Sequence, residues 1–246
     1  MRECSKSVAR RLSQPAFSNR YFVGHGIDIG GRPDPLGLYA AVFTRLDSVR
    51  TWDIEDGDAQ ALDGVPDAAY DFVHSSHCLE HLPDPGAALA RWCRVVKPGG
   101  YLVITVPDED LYEQGQFPST FNADHRWTFT IFKTTSWSGR SINIVHLVTS
   151  LGAPVEILKI EKLDATYNYA LPRFDQTLSP VVESAIEFVL RRRPDAEVAA
   201  GGRLPGDADV DPAVRIHFNQ YRNDAQALKR GNATSPPFRD DRPLRS

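Results

Sequence analysis

Cysteine, methionine and long apolar runs are scarce in this 246-residue sequence, which has three cysteines and one methionine. So few cysteines exclude a scaffold held together by disulfides and favour a reducing compartment. The sequence has no apolar run long enough to cross a bilayer, and residues 1–17 lack the apolar segment of a signal peptide. We therefore expect a cytoplasmic protein with no transmembrane segment.

An excess of positive charge is also missing, because 28 basic residues face 32 acidic ones and the net charge is −4. Proteins that bind nucleic acid usually carry a basic surface, so we expect no nucleic acid among the partners. The dense basic run at 191–193 (RRR) is interpreted as the end of a helix, whose dipole it complements. Nothing in the composition indicates the oligomeric state.

Residues 25–106 alternate short apolar segments with segments of helical periodicity. Segments typical of strands cover 25–29, 48–54, 69–75 and 101–106, and segments typical of helices cover 36–46 and 85–96. This alternation predicts a parallel sheet with helices on both faces. The run at 101–106 (YLVITV) is apolar throughout, as expected of a strand buried on both faces.

The rest of the chain has weaker patterns, from which we predict the domain organisation. A short helix is expected in residues 1–20 and a loop at 108–132. Further predictions are helices at 141–151 and 180–193 and a strand at 155–163. The domain prediction is a main domain at 1–193, a linker at 194–212, a C-terminal helix at 213–230 and a poorly ordered tail at 231–246.

Several short motifs follow the predicted strands, where ligands bind in open α/β sheets. Gly30 and Gly31 follow the first strand, and glycine lets a ligand approach the backbone closely. Asp53 ends the second strand, where a carboxylate can accept hydrogen bonds from both hydroxyls of a ribose. Each feature alone is also compatible with an ordinary turn or a solvated loop carboxylate.

Taken in order, the segments IDIGG, WDIEDGDAQAL, YDFVHSSHCLEHLPDP and VVKPGGYLVITVP resemble the class I S-adenosylmethionine-dependent methyltransferases. They are most similar to the small-molecule branch with a "leH" segment and a "LkPGG" turn, over residues 24–107. The resemblance implies S-adenosylmethionine as cofactor. It also implies a doubly wound, Rossmann-like α/β fold with a mostly parallel seven-stranded sheet, helices on both faces and an antiparallel last strand.

The resemblance further implies a set of cofactor-binding residues. Asp28, Gly30 and Gly31 would face the amino-acid end of the cofactor, and Asp53 would hold the ribose. Ile54, Asp58 and Ala59 would contact the adenine. Ser75, Ser76 and His77 would line the floor near the methionine portion. The glycine loop departs from the family pattern, because Arg32 and Asp34 stand where two further glycines are common. We therefore expect a wider or differently bent loop.

Potential metal ligands are concentrated between His74 and His81. His77 and His81 have the i, i+4 spacing of a zinc site on a helix. In the metalloprotease pattern, however, a glutamate follows the first histidine, where this chain has Cys78. We expect structural histidines and no metal. A metal-dependent hydrolase using residues 74–81, and a non-catalytic binding protein with a degenerate methyltransferase fold, remain as alternatives.

The segment after the fourth predicted strand mixes acids, aromatics, a histidine and an arginine, as a pocket for a polar substrate would. The predicted substrate contacts are Asp108, Tyr112, Asp124 and Arg126. His125 is the predicted general base and His77 the competing candidate, because imidazole titrates near neutrality. The expected reaction is methylation of a small polar acceptor, such as a hydroxyl of a sugar or surface-polysaccharide precursor.

Overall fold

A computed structural model describes residues 3–206 of the chain. The chain divides into a compact unit that ends at Arg203 and a second unit that begins at Leu204. The predicted helix at 213–230 and tail at 231–246 lie outside the described residues.

A six-stranded sheet forms the centre of the described unit, in the order β2-β1-β3-β4-β8-β7. Its strands are β1 (Gly24–Ile29), β2 (Leu46–Trp52), β3 (Tyr70–Ser76), β4 (Val96–Pro107), β7 (Val155–Leu163) and β8 (Ala185–Arg192). The first four are parallel to one another, and β8 is antiparallel to both of its neighbours. Two three-residue strands, β5 (Thr128–Thr130) and β6 (Ser141–Asn143), pair separately.

The α-helices are α1 (Glu3–Leu12), α2 (Pro15–Tyr21), α3 (Pro85–Val95), α4 (Ile144–Thr149) and α5 (Asp195–Ala200). In α3, Pro85 occupies the first turn, and the Asp84 side chain accepts hydrogen bonds from the amides of Gly86 and Ala87. Proline and an aspartate cap are both typical of a helix N-terminus. None of the helices in the described part of the chain is long and apolar enough to cross a membrane. The cytoplasmic location stays a prediction.

Neighbouring residues of the central strands contribute to opposite sides of the sheet. Phe72 belongs to a core with α1 and α2, whereas Val73 belongs to a core with α3 and α4. Likewise Val103 packs on the first side, and Leu102 and Ile104 pack on the second. Because side chains alternate along a strand, an apolar run is required when both faces are covered. The predicted fold class is confirmed.

The helix predicted at 180–193 is wrong, because residues 185–192 form strand β8 between β4 and β7. An apolar run of this length is compatible with a buried helix or a buried strand, and periodicity does not separate them. The basic run therefore complements no helix dipole. Instead, Arg191 pairs with Glu156 and Glu197.

Smaller differences concern element type and strand number. The segment predicted as an α-helix at 36–46 forms a 3₁₀-helix, Leu36–Val42. The loop predicted at 108–132 contains the π-helical turn Glu109–Glu113 and strand β5. The main sheet has six strands among residues 3–206, whereas the family resemblance implies seven. The segment between β2 and β3 forms turns and adds no strand at the edge of the sheet. Part of the predicted linker is helix α5.

Helix α1 is attached to β8 by a buried ion network. The carboxylate of Glu187 on β8 lies 2.9 Å from Nη2 of Arg10 and 2.7 Å from Nη2 of Arg11. Lys159 of β7 reaches the same carboxylate, with Nζ 3.0 Å from Oε1. Arg11 and Glu187 are fully buried. The network anchors the C-terminal end of α1, which carries Arg10 and Arg11, to the sheet.

Candidate active site

A cavity of about 170 Å³ opens at the carboxyl ends of β1 and β3. This is the edge where ligands bind in open α/β sheets. The cavity is lined by Glu3 and Cys4 of α1, by the loop after β1, by residues after β3 and by the segment after β4. Lining residues used below are Asp28, Gly30, Gly31, Asp34, His74, Ser76, His77, Glu80, His81, Tyr112, Asn122 and His125.

The loop after β1 has no room for side chains at its two glycines. Gly30 has φ +71°, and a Cβ there would lie 2.6 Å from Cβ of Cys78. A Cβ on Gly31 would lie 2.4 Å from a carboxylate oxygen of Asp28. Both glycines line the cavity, as the resemblance implies. The backbone conformation and the close contacts exclude larger residues at Gly30.

Asp34 explains how the loop differs from the family pattern. Its buried carboxylate accepts hydrogen bonds from the Ser5 amide of α1, at 2.8 Å, and from the Tyr39 hydroxyl. Arg32 extends outward, where it pairs with exposed Glu55. The loop is therefore tied to α1 by a carboxylate at a position where the family commonly has glycine.

Asp28 lines the cavity, but its carboxylate is already engaged in the fold. One oxygen lies 2.6 Å from Nδ1 of His74, and the other accepts the Leu36 amide at 2.7 Å. Both side chains of the Asp28–His74 pair are buried. Asp28 thus fixes the conformation of the loop through the Leu36 amide, and its hydrogen bond occupies Nδ1 of His74.

Asp53 follows β2, and its two carboxylate oxygens accept the backbone amides of Arg32 and Ile54, each at 2.8 Å. A carboxylate oxygen has two lone pairs, so each oxygen retains capacity for a ribose hydroxyl. The Ile54 side chain is 88% exposed beside it, which suits an apolar surface that an adenine ring would cover. This position agrees with the predicted ribose and adenine contacts.

Asp58 and Ala59 form a turn near the same edge. The Asp58 carboxylate accepts the amide of Gln60 at 2.7 Å and is otherwise exposed. The Ala59 carbonyl accepts the indole N–H of Trp92 at 2.8 Å. These contacts hold the turn in place, and contact with an adenine edge stays a prediction.

The three residues Ser75, Ser76 and His77 separate at the end of β3. Ser75 is fully buried, and its hydroxyl donates to the carbonyl of Ile29 at 2.9 Å, so it does not line the cavity. Ser76 and His77 do line it, with Ser76 Oγ 3.1 Å from His77 Nδ1. Burial lowers the pKa of His77 to about 3, so its imidazole is neutral at pH 7.

His77 has a backbone φ of +56°. This left-handed conformation is uncommon for residues other than glycine, and it is enriched at functional sites. The His77 amide donates to the Thr105 carbonyl at 2.9 Å. The fold thus holds the ring at the cavity wall at some conformational cost.

His125 lies in the cavity next to two residues of the LEH segment. Its Nε2 is 3.9 Å from Oε1 of Glu80, and Nε2 of His81 is 3.9 Å from the same oxygen. The rings of His81 and His125 have centroids 5.0 Å apart. Glu80 is fully buried, neither of its carboxylate oxygens has a hydrogen-bond partner, and burial raises its pKa.

The Nδ1 atoms of the same two histidines have acceptors as partners. His125 Nδ1 lies 2.7 Å from Oε1 of Glu113, and His81 Nδ1 lies 3.1 Å from the Asp124 carbonyl oxygen. A carbonyl oxygen and a carboxylate only accept hydrogen bonds, so with these partners each Nδ1 carries a proton. Nε2 of each ring is the nitrogen on the side of Glu80.

The four predicted substrate residues occupy three different places. Tyr112 lines the cavity, and its ring packs at 5.2 Å against His125. The exposed residues Asp124 and Arg126 line an open depression together with His81 and His125. Asp108 is fully buried, caps the turn at 109–113 and pairs with Lys162 at 2.9 Å, so it does not line the cavity.

Glu80 and Glu113 were missed by the sequence analysis. Glu80 belongs to the 74–81 segment, but the i, i+4 spacing of His77 and His81 made these two histidines the candidate metal ligands. Glu113 follows Tyr112 in a stretch with many acids, and no pattern distinguishes it from its neighbours. Their juxtaposition with His125 depends on how the segment after β4 packs on the cavity.

Comparison with known proteins identifies the family. The family described as methyltransferase domain matches residues 11–140, which is more than half of the chain. This chain belongs to that methyltransferase family. The match includes the glycine loop, Asp53 and the cluster around His125, all of which lie within 11–140.

Two curated relatives match parts of the methyltransferase. Phosphoethanolamine N-methyltransferase 2 of Caenorhabditis elegans is 25% identical over 130 residues, covering 53% of this chain and 29% of the relative. An uncharacterised methyltransferase of Schizosaccharomyces pombe is 39% identical over 59 residues, covering 24% of this chain and 20% of the relative. The matched parts thus span less than a third of these relatives.

Two solved structures are similar to this chain over about three quarters of its length. A putative methyltransferase of Bacillus halodurans is 12% identical, with a TM-score of 0.49 over 74% of this chain and 99% of that one. Phosphoethanolamine N-methyltransferase 2 of Haemonchus contortus, solved with S-adenosyl-L-methionine, is 16% identical, with a TM-score of 0.46 over 76% of this chain and 52% of that one.

The chain thus contains a methyltransferase domain, as the sequence predicted, and S-adenosylmethionine as its cofactor stays a proposal. The glycine loop and Asp53 fit this cofactor, since the first leaves space beside the backbone and the second presents acceptors at a strand end. Nothing in the comparisons supports the alternatives of a hydrolase or a non-catalytic binding protein.

Proposed function

We propose that this enzyme methylates a hydroxyl group of a small polar acceptor, such as a sugar or a precursor of a surface polysaccharide. The observation that carries the proposal is the group of Glu80, His81 and His125 at the wall of the cavity that Gly30 and Gly31 also line. A hydroxyl must lose its proton when its oxygen is methylated, and this group stands where that proton would leave.

The proposed cofactor residues fall into two groups. Asp53 and Ile54 do not line the cavity but follow β2 beside its lining loop, since Asp53 accepts the Arg32 amide, and they would hold the ribose and adenine. Gly30, Gly31 and His77 line the cavity, where they would face the amino-acid portion and the sulfonium. When bound, S-adenosylmethionine supplies a methyl group on a positively charged sulfur, which keeps the electron pair of the broken S–C bond.

The acceptor would enter through the depression lined by Asp124, Arg126 and His81. Charged groups of both signs and an imidazole offer donors and acceptors to a polyhydroxyl compound. The closed part of the cavity is about 170 Å³, which is below the usual range of roughly 300–1,000 Å³ for ligand pockets. An acceptor therefore would place one group inside and the rest of its surface over the rim.

The protein's contribution is alignment and removal of the proton. His125 is held by Glu113 and packed against Tyr112, so its Nε2 keeps one direction. Holding two reactants in line contributes much of the rate enhancement of a direct displacement. We propose that Glu80, His81 and His125 together promote loss of the hydroxyl proton, with His77 positioned at the cofactor side.

A methyl-transfer screen with radiolabelled S-adenosylmethionine tests the proposal. Nucleotide sugars, oligosaccharides, small phenols and phosphoethanolamine are the acceptors to compare. We expect transfer to a sugar-type hydroxyl, and transfer only to an amine would contradict the proposal.

On the best acceptor, His125→Ala should lower kcat by roughly 10²–10⁴-fold while leaving affinity for S-adenosylhomocysteine unchanged. His77→Ala should weaken binding of that product as well. His146→Ala, at an exposed histidine outside the cavity, is the control. Near-normal turnover by His125→Ala would remove the group around His125 from the mechanism.

A further inference from the structure

We propose that Glu80, His81 and His125 form a binding site for a divalent transition-metal ion. One ligand atom from each residue lies within 4.8 Å of the other two. Two imidazoles and one carboxylate are a ligand set used by catalytic zinc sites and by other first-row transition metals. The inference that the ion acts in catalysis rests on the proposed function, whereas the binding itself does not.

The distances are close to those of a metal site. Nε2 of His81 and Nε2 of His125 each lie 3.9 Å from Oε1 of Glu80. Ligand atoms about 2.1 Å from a tetrahedral ion lie roughly 3.4 Å from one another. Each carboxylate–imidazole distance is therefore about half an ångström longer than in a tetrahedral site, and all three ligand atoms lie within 4.8 Å of one another.

The protonation of both rings suits coordination. The Nδ1 proton of His125 is donated to Glu113, and that of His81 is donated to the Asp124 carbonyl. Metal-binding histidines usually make this kind of outer hydrogen bond, which fixes the tautomer and makes the other nitrogen a better ligand. The structure thus contains the supporting partners of a metal site as well as its ligands.

The charge of the site also requires a cation or a proton. Glu80 has a relative exposure of 0%, and neither of its oxygens has a hydrogen-bond partner. Among residues 3–206, no lysine or arginine pairs with Glu80 or with the carboxylate of Glu113. Burying an isolated carboxylate costs free energy. The two positive charges of a divalent ion would balance the negative charges of Glu80 and Glu113.

Access for an ion and for an acceptor oxygen is present. The side chain of His81 is 31% exposed, and it lines both the cavity and the outer depression. With three protein ligands, an ion keeps a position open for water or substrate. An acceptor hydroxyl bound there would lose its proton to water at the rim, and its oxygen would form the new bond to the methyl carbon. His125 then acts as a ligand, not as the base.

The proposal replaces the expectation of no metal, which rested on the spacing of residues 74–81. Within that segment, His74 is occupied by Asp28, and His77 lies outside the group of three. Only Glu80 and His81 contribute, and the third ligand comes from a different segment. Two imidazole ligands favour zinc and other first-row transition metals over magnesium, which prefers oxygen ligands.

Calorimetric titration of metal-free enzyme with Zn²⁺ and with Mn²⁺ tests the site directly. We expect one ion per chain in the wild type and in His146→Ala. Glu80→Gln and His81→Ala should each abolish binding or weaken it by at least roughly 100-fold. Glu113→Gln, which alters only the outer hydrogen bond, should weaken binding by roughly 10–100-fold. His81→Ala is informative even if Glu80→Gln does not fold, because His81 is half-buried.

Stoichiometric binding that depends on these residues supports the site. Absence of binding, or equal binding by wild type and His81→Ala, would overturn it. Methyl transfer should stop after chelation and return with Mn²⁺. Full transfer by chelated enzyme would overturn a catalytic ion while leaving the proposed function intact. Specific binding without transfer to any hydroxyl acceptor would overturn the proposed function while leaving the metal site intact.

Discussion

At the scale of single residues, the carboxylates of this enzyme differ in what they have available for a ligand. Asp28 is buried, and each of its carboxylate oxygens already has a partner, His74 or the Leu36 amide. Asp53 accepts only backbone amides and remains partly exposed at a strand end. The two acids that the resemblance assigns to the cofactor therefore differ in exposure, and of the two Asp53 is the one accessible for the proposed ribose contact.

Asp53→Ala is expected to weaken binding of S-adenosylhomocysteine by about 2–4 kcal/mol, because two hydrogen bonds from a ribose would be lost. Calorimetry measures the effect, with circular dichroism to show that the variant folds. Asp47→Ala is the matched control, since Asp47 is exposed on the same strand, β2, far from its carboxyl end. Equal affinities for wild type and Asp53→Ala would refute the ribose assignment.

At the scale of secondary-structure elements, the position of α1 depends on strand β8. Burial alone would raise the pKa of Glu187, but Arg11 and Arg10, with Lys159, lower it far below its ordinary value of 4.5. The carboxylate is therefore ionised in the folded protein at neutral pH. Since Glu3 and Cys4 of α1 line the cavity, the network also supports the site.

Glu187→Gln should destabilise the fold by about 3–5 kcal/mol at pH 7, because it leaves buried Arg11 without its counter-charge. A carboxylate with a lowered pKa contributes stability above the unfolded-state pKa, and this contribution is lost as the pH falls through the folded-state value. The difference between wild type and variant should therefore shrink below pH 4.5.

Urea unfolding at pH 7 and pH 3.5 measures this difference. Glu161→Gln is the control, because Glu161 is more exposed and pairs with the same lysine, Lys159. If wild type and Glu187→Gln differ by the same free energy of unfolding at both pH values, the result would argue against the ionised network.

At the scale of the whole molecule, the site is assembled from segments spread over more than a hundred residues. The cavity is bounded by α1, the loop after β1, the turn after β3 and the segment after β4. A ligand that contacts several of these segments stabilises the folded state alone. Cofactor binding and global stability are therefore coupled.

S-adenosylhomocysteine at about 100 times its dissociation constant should raise the free energy of unfolding by about 2.7 kcal/mol. For a domain of this size the melting temperature should rise by roughly 5–10 °C. Differential scanning calorimetry measures the shift, and Asp53→Ala at the same ligand concentration should show a smaller one. An unchanged melting temperature for the wild type would show that the described site does not hold the cofactor.

The features that could be predicted from the sequence are local. They are the glycine pair after one strand, the acid after the next strand and the continuous apolar run at 101–106. Each can be recognised from the residues next to it in the chain. Because parallel strands bring their carboxyl ends to one edge, their order along the chain was enough to predict the parallel part of the sheet and the edge at which the cavity opens.

The type of element at 185–192 and the grouping of residues around His125 depend on contacts in the folded protein. Residues 185–192 are a strand because β4 and β7 provide partners on both sides, whereas their apolar run suits a helix equally well. Glu80 and His81 lie more than forty positions before His125 in the chain, and Glu113 lies twelve positions before it. Spacing within one segment reports only contacts that its own backbone makes, so contacts between distant segments are determined by packing alone.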